Sequence, residues 1–245
     1  MAVPVDWIEP DWPAPRSVRA LVTTRNGGVS RGPYASLNLG VRVGDDAQAV
    51  NENRARLRAV LPSEPKWLEQ MHGVDVVQAD RTEGEASADA AFTRVAGVVC
   101  GIQAADCLPV LLCDRAGTCV AAAHAGWRGL SAGVLEQTVS ALGEPPEELM
   151  AWLGPGIGPN KFEVGTDVFE KFIAHDGPAS AAFEPMHAGK WLADLYALAR
   201  RRLSRAGVTA VFGGGLCTFS DPARFFSHRR DRVTGRQGAF VWIAV

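Results

Sequence analysis

No stretch of this chain stays apolar for the about 20 residues that a membrane-spanning helix needs. Neither sign of charge dominates: 25 Lys and Arg against 27 Asp and Glu leave a formal net charge of −2, with a pI near 6.2. That removes the bulk electrostatic case for a nucleic-acid or anionic-membrane partner. Internal repeats, low-complexity tracts and long linkers are all missing. The opening MAVPVDWIEPDWPAP has no basic n-region and no apolar h-region, so no secretory leader is expected and a cytoplasmic location is. Zinc-finger and redox spacings are absent too, as nothing reads C-x-x-C or H-E-x-x-H. The five cysteines, Cys100, Cys107, Cys113, Cys119 and Cys217, are odd in number, and four fall in apolar runs. Free thiols are expected rather than disulfides.

What is present is globular composition: 245 residues, 47% hydrophobic and 21% charged. A chain of this length buries a sizeable core without disulfide staples. Val18–Thr24 reads as a strand that runs into RNGGVSRGPYASLNLG, a Gly-, Ser- and Asn-rich loop. Loops of that length in compact domains usually carry function, and Arg25, Tyr34 and Asn38 favour this here. Asp45 or Asp46 is placed to cap a helix over Ala47–Leu61. Trp67–Leu68 and Val74–Val77 read as short strands. Val95–Gln103, Leu108–Cys113 and Thr118–His124 are apolar runs bounded by turn residues, which is the pattern of buried strands. Leu130–Leu142 has helical spacing, and Leu149–Leu153 reads as a strand. Thr166–Ala174, capped by Thr166, and Trp191–Ala206, ended by Gly207, read as helices. Val208–Phe212, Phe225–His228 and Ala239–Val245 read as final strands. Strands and helices mix without strict alternation, which predicts an α+β fold with mixed β-sheets and helices outside.

Two imidazoles and one thiol stand out. His72 in EQMHG, Cys107 in AADCLPVLL and His124 in AAAHAGWRG each end or begin an apolar strand-like run. They can form the three protein ligands of an open metal site, in which a fourth position is left for water or substrate. Asp106, next to Cys107, is placed to orient an imidazole or to act as general base, with Glu163 as its reserve. An anionic neighbour raises a thiol's pKa, so a reactive Cys107 needs a metal or a cationic histidine nearby. Small residues after His124 let a ligand approach the backbone, and Arg128 adds charge there. Arg25, Arg229, Arg230 and Arg236 form a second group suited to phosphate or carboxylate.

At these residues the chain resembles a known family. TTRNGGVSRGPYASLNLG, VGDD, QMHG, ADCLPVLL, HAGWRGL, GPGIGP with FEVG, and SHRRDRVTGR occur in the family's order. They are similar to the YfiH-type proteins, variously called polyphenol oxidase or multicopper laccase-like proteins, purine nucleoside phosphorylases and peptidoglycan editing factor. The resemblance implies one domain over residues 1–245, with β-sheets packed together and helices outside, as in the catalytic domain of cytotoxic necrotizing factor toxins. It implies a zinc site from His72, Cys107 and His124. It also implies phosphorolysis of adenosine, inosine and methylthioadenosine, with adenosine deamination. The pattern is departed from at Arg42, where a histidine is usual, and at His228, where a tyrosine is.

On this reading Cys107, His124, His72 and Asp106 are catalytic, and Arg25, Asn38, Arg128, Arg229 and Arg230 bind substrate and phosphate. The partners are a purine nucleoside and phosphate, the cofactor is zinc with copper second, and the chain is expected to be a monomer. A metal-free rival uses Cys107 as nucleophile and His124 as base to cleave an amide in a cell-wall precursor. Copper oxidase chemistry finds a superficial blue-copper set in two His, Cys107 and Met71, but few further imidazoles. A structural metal would need a fourth ligand such as Cys217 or His228.

Overall fold

A computed structural model describes residues 6–245. The first five residues, on which the leader reading partly rests, lie outside that range. Two sheets dominate. One has four strands in the order Val18–Val22, Gln237–Ile243, Val99–Ala104, Pro65–Lys66. The other has six, in the order Ala210–Gly213, Leu149–Leu153, Leu108–Asp114, Val120–Ala125, Ala90–Thr93, Val76–Gln78. Both contain parallel and antiparallel neighbours.

The side-chain period of two sorts each central strand into two faces. From the six-stranded sheet, Leu111, Cys113, Val120, Ala122, Met150 and Trp152 meet Val22, Cys100, Ile102, Ala239 and Val241 of the other sheet. The opposite residues, Leu108, Val110, Leu112, Ala121, Ala123 and Leu153, pack under helices Val134–Leu142 and Leu195–Arg205. Phe240 and Val99 on the outer face of the four-stranded sheet are covered by Leu57, Leu37, Leu39 and Trp67. The result is helix, sheet, sheet, helix. The α+β expectation of mixed sheets with helices outside holds. Burial on both faces is why Leu108–Asp114 and Val120–Ala125 show no polar alternation. No helix among the described residues is long and apolar enough to cross a membrane.

Several local expectations are corrected. The helix expected over 130–142 is two, Trp127–Ala132 and Val134–Leu142, because Gly133 takes φ 107 between them. Gly165, not Thr166, occupies the cap position before Thr166–Ile173. Lys190–Ala193 is a strand paired with Glu163–Gly165 and Phe183–Pro185. The following helix starts at Leu195, because the Asp194 carboxylate accepts from the amides of Tyr196 and Ala197. Phe225 and Phe226 are buried but form no strand, and His228–Asp231 is a short helix capped by Ser227. Val95–Val98 precede their strand, which begins at Val99. Asp46 caps the first helix, which stops at Arg58.

Candidate metal centre

The chain passes from the four-stranded to the six-stranded sheet between Ala104 and Leu108. Asp106 makes that crossing at φ 90, a backbone region costly for any residue but glycine. Its carboxylate holds the turn: Thr218 Oγ1 donates to Oδ1 and the Arg229 amide to Oδ2, both at 2.6 Å. Cys107 follows and is thereby presented at the start of a central strand of the six-stranded sheet.

His124 stands on the neighbouring strand, paired in register with Pro109. His72 lies in the turn before Val76–Gln78, at φ 60. One carboxylate organises both. Asp89 Oδ1 lies 2.8 Å from His124 Nδ1 and accepts the His72 amide at 3.0 Å. Its Oδ2 accepts the amides of Met71 and Gly73 at 3.1 and 2.6 Å. The charged carboxylate holds Nδ1–H and leaves Nε2 facing the cluster, where an ion would displace its proton.

The three ligand atoms all lie within 4.8 Å of one another. His72 Nε2 is 3.7 Å from Cys107 Sγ, and the two imidazole rings stand 4.9 Å apart at 72°. Tetrahedral zinc with its usual bond lengths sets sulfur and nitrogen about 3.6 Å apart. The His72–Cys107 pair matches that spacing, and the three donors together lie near enough for one such ion to draw them in. Neither Cys217 nor His228 joins the cluster, so three protein ligands leave a corner open. Gly126 makes the room: a Cβ there would sit 2.8 Å from Cys107 Sγ and 3.0 Å from His72 Cδ2.

Two of the five thiols are lowered: Cys217, where burial is outweighed by hydrogen bonds from Ser220 and the Gly158 amide, and, further, Cys107. Burial pushes the Cys100 and Cys113 thiols up, and Cys119 to about 12. Burial raises Cys107 as well, but His124 and His72 outweigh it and hold the thiol at about 6. Burial lowers His124, yet the Cys107 thiolate and Asp89 carry it up to about 9. Asp89 is opposed by burial and brought below its ordinary value by His124 and the turn amides. A metal-ready thiolate follows from this. All five cysteines are free.

The cluster opens into a pocket of about 440 Å³ lined also by Gln70, Gln103, Arg42, Arg128, His228 and Arg236. That size suits a small metabolite. A larger cleft of about 860 Å³, between Trp12 and Trp242, carries no histidine, cysteine or other ligand-type cluster.

The predicted binding residues divide. Arg128 is exposed on the pocket wall. Arg25, Asn38, Arg229, Arg230 and Asp106 do not line the pocket. Arg25 donates to the carbonyls of Ala35 and Pro222. Asn38 is fully buried and bonded to Gly40, Asp45 and the Arg236 amide. Arg229 donates to Glu163 O. Arg230 is spent on the carbonyls of Thr218, Phe219 and Phe225. Glu163 lies beside Lys190 instead. Backbone carbonyls take up donors of Arg25, Arg229 and Arg230, which is why these side chains brace loops outside the pocket lining. Asp89 takes the orienting place expected of Asp106, whose carboxylate is occupied by its own turn. Sequence reasoning missed Asp89; its one signal is an acid set in the small, apolar run SADAAF.

Comparison with known proteins places the chain in a family. The family described as multi-copper polyphenol oxidoreductase laccase matches residues 19–244. A purine nucleoside phosphorylase of Pseudomonas aeruginosa is 58% identical over 97% of this chain and 98% of its own. The purine nucleoside phosphorylase YfiH of Escherichia coli is 55% identical, covering 96% of this chain and 98% of its own. A crystal structure from Neisseria meningitidis superposes with a TM-score of 0.95 at 51% identity, over 98% of this chain and 100% of that one. By that match and those identities, the chain belongs to the YfiH-type, laccase-like family.

Proposed function

We propose that this protein is a zinc-dependent purine nucleoside enzyme. It phosphorolyses adenosine, inosine and methylthioadenosine and deaminates adenosine, in the cytoplasm. The carrying observation is three ligand atoms within 4.8 Å at the mouth of a cationic pocket, in a chain 58% identical to a protein named purine nucleoside phosphorylase. His72, Cys107 and His124 would hold the ion. A bound zinc supplies Lewis acidity and lowers the pKa of a bound water.

The chain's own groups do the rest. Asp89 holds His124 Nδ1–H and the His72 turn, so both imidazoles stand preset. The pocket orients the nucleoside, and its arginines neutralise phosphate. In phosphorolysis a phosphate oxygen bonds to ribose C1′ while the C1′–N9 bond breaks. The electron pair leaves with the purine, which takes up a proton, and the sugar 1-phosphate remains, as ribose 1-phosphate or, from methylthioadenosine, as its 5-methylthio counterpart. In deamination water adds at C6 and ammonia departs. Incubation with adenosine and phosphate tests both: adenine, inosine or hypoxanthine above a Cys107→Ala control is expected, and none would overturn the reading.

A second reading draws on one specific observation, the line Cys107, His124, Asp89 with the thiol at about 6. This is the order of a nucleophile, base and orienting acid. The thiolate would bond to an amide carbon, His124 would protonate the leaving amine, and water would hydrolyse the thioester. A covalent adduct on Cys107 in metal-free, active protein favours this amidase; stoichiometric zinc lost with activity in His72→Ala favours the first. Copper ranks behind zinc. Met71 is 64% exposed, and His175 and His187 do not line the pocket. Copper-dependent oxygen consumption by the purified protein would reverse that order.

A further inference from the structure

Arg236 differs from every other arginine of the site. It stands just before the strand Gln237–Ile243 and lines the pocket together with Cys107, His124 and His228. Its Nη1 donates to the carbonyls of Thr234 and Gly235 at 3.1 and 2.9 Å. Among the described residues, no acceptor hydrogen-bonds its Nε or Nη2 and no carboxylate lies within 4.0 Å of it, although Asp106 and Cys107 act on its charge from farther away. By contrast, Arg42 on the same wall forks onto Glu85 at 2.9 Å through both terminal nitrogens. Arg128 is exposed and lies over the Trp127 ring, 4.5 Å from its centroid.

The fold presets this guanidinium. The Arg236 amide donates to Asn38 Oδ1 at 2.9 Å, and the Leu39 amide donates to Arg236 O at 3.1 Å. Asn38 is itself pinned to Asp45 at 2.9 Å. Gly40 keeps the space for the side chain, since a Cβ there would lie 2.9 Å from Arg236 Cγ. Burial opposes the charge and pulls the pKa down from its usual value. A half-buried cation with two unspent donor nitrogens, lining a pocket and held by its backbone, is the form that recognises a tetrahedral oxyanion.

We propose that Arg236 is the oxyanion-binding residue of this pocket, taking a phosphate group through Nε and Nη2, and that Asn38 and Gly40 are its positioning residues. The identification of that phosphate as the inorganic co-substrate rests on the phosphorolysis reading. A phosphate carried by a larger substrate would meet the same fork.

The test is calorimetric titration of the purified holoenzyme with inorganic phosphate, alongside steady-state kinetics with adenosine. Arg236→Gln is expected to weaken phosphate binding by about tenfold or more, the loss that one or two charge-assisted hydrogen bonds give. The KM for phosphate rises with it, while the KM for adenosine stays within about twofold, since uniform binding of the nucleoside is untouched. Arg236→Lys, which keeps charge but loses the fork, falls between. Gly40→Ala keeps the guanidinium but displaces it, and weakens phosphate in the same direction. The two variants also carry the test should Arg236→Gln not fold. Phosphate binding that depends on Arg236 without any phosphorolysis upholds the site and rejects the phosphorolysis reading. Uridine diphosphate displacing phosphate in the wild type but not binding Arg236→Gln identifies a substrate-borne phosphate and equally upholds it. Wild-type affinity in folded Arg236→Gln, or no binding of either probe by the wild type, overturns the proposal.

Discussion

Arg230 sends Nη1 and Nη2 to the carbonyls of Thr218, Phe219 and Phe225, whereas Cys107, one residue beyond the Asp106 that accepts the Arg229 amide, faces only imidazole nitrogens and a pocket. Both regions are dense in side chains able to bind ligands. In the arginine region the fold itself consumes the donors, and Arg25 likewise closes on Ala35 and Pro222. At the cysteine region a carboxylate, Asp89, holds the ligands from behind and leaves their front atoms unspent. The difference is one of satisfaction rather than residue type. A polar group whose partners are all protein atoms maintains shape, and one whose partners are incomplete can take a ligand.

That contrast can be broken in four ways. The largest effect is expected at the front atoms. Cys107→Ala or His124→Ala should cost at least about 100-fold in metal affinity and in turnover; the melting temperature of the metal-free protein moves little in Cys107→Ala but falls in His124→Ala, which strands the buried Asp89 carboxylate. Competition with a chromogenic chelator and calorimetry read the two quantities; retained metal in either variant would show that the three ligands do not act together. Asp89→Asn should follow with about 10- to 100-fold in metal affinity, because two ligands lose their common support. Dissociation constants measured for Asp89→Asn and wild type check this.

Arg230→Gln should reverse the pattern. It removes donors from three carbonyls and should cost about 2–4 kcal/mol of stability in urea titrations, with the metal affinity of the folded protein unchanged. An equal loss of metal affinity would erase the distinction between the regions. The smallest effect lies in the Asp114 turn, which accepts from the amides of Thr118 and Cys119 and from Thr118 Oγ1. Burial raises this carboxyl, yet those donors bring it below the ordinary 3.8. Its stabilisation is therefore complete above about pH 3.8 and fades as pH falls through the lower folded value. Asp114→Asn should lower the melting temperature near neutrality and flatten its decline in acid, as scanning calorimetry from pH 6 to pH 2 would record.

Much of the centre was legible in the sequence because the signal there is local. His72, Cys107 and His124 stand at the borders of apolar runs, and strand borders meet where sheets end. Asp89 was not, since its link to His124 spans 35 residues and depends on the pairing of Ala90 with Ala123. The arginines show why type alone misleads: the sequence reveals a guanidinium at 230 but not the three carbonyls that engage it. Helix spacing was equally ambiguous at Trp191–Ala193, where an apolar run pairs as a strand, and at Gly133, where one residue of left-handed backbone divides a continuous periodicity.

The crossing at Asp106 makes the segment between Ala104 and Leu108 intolerant of length change. Its two ends are locked by pairing, Ala104 to Gln237 and Leu108 to Ala125. Inserting or deleting one residue there would rotate the thiol to another face or shift a whole strand by one register step. Evolution can vary the walls of this pocket residue by residue, but it cannot lengthen the hinge that delivers the sulfur.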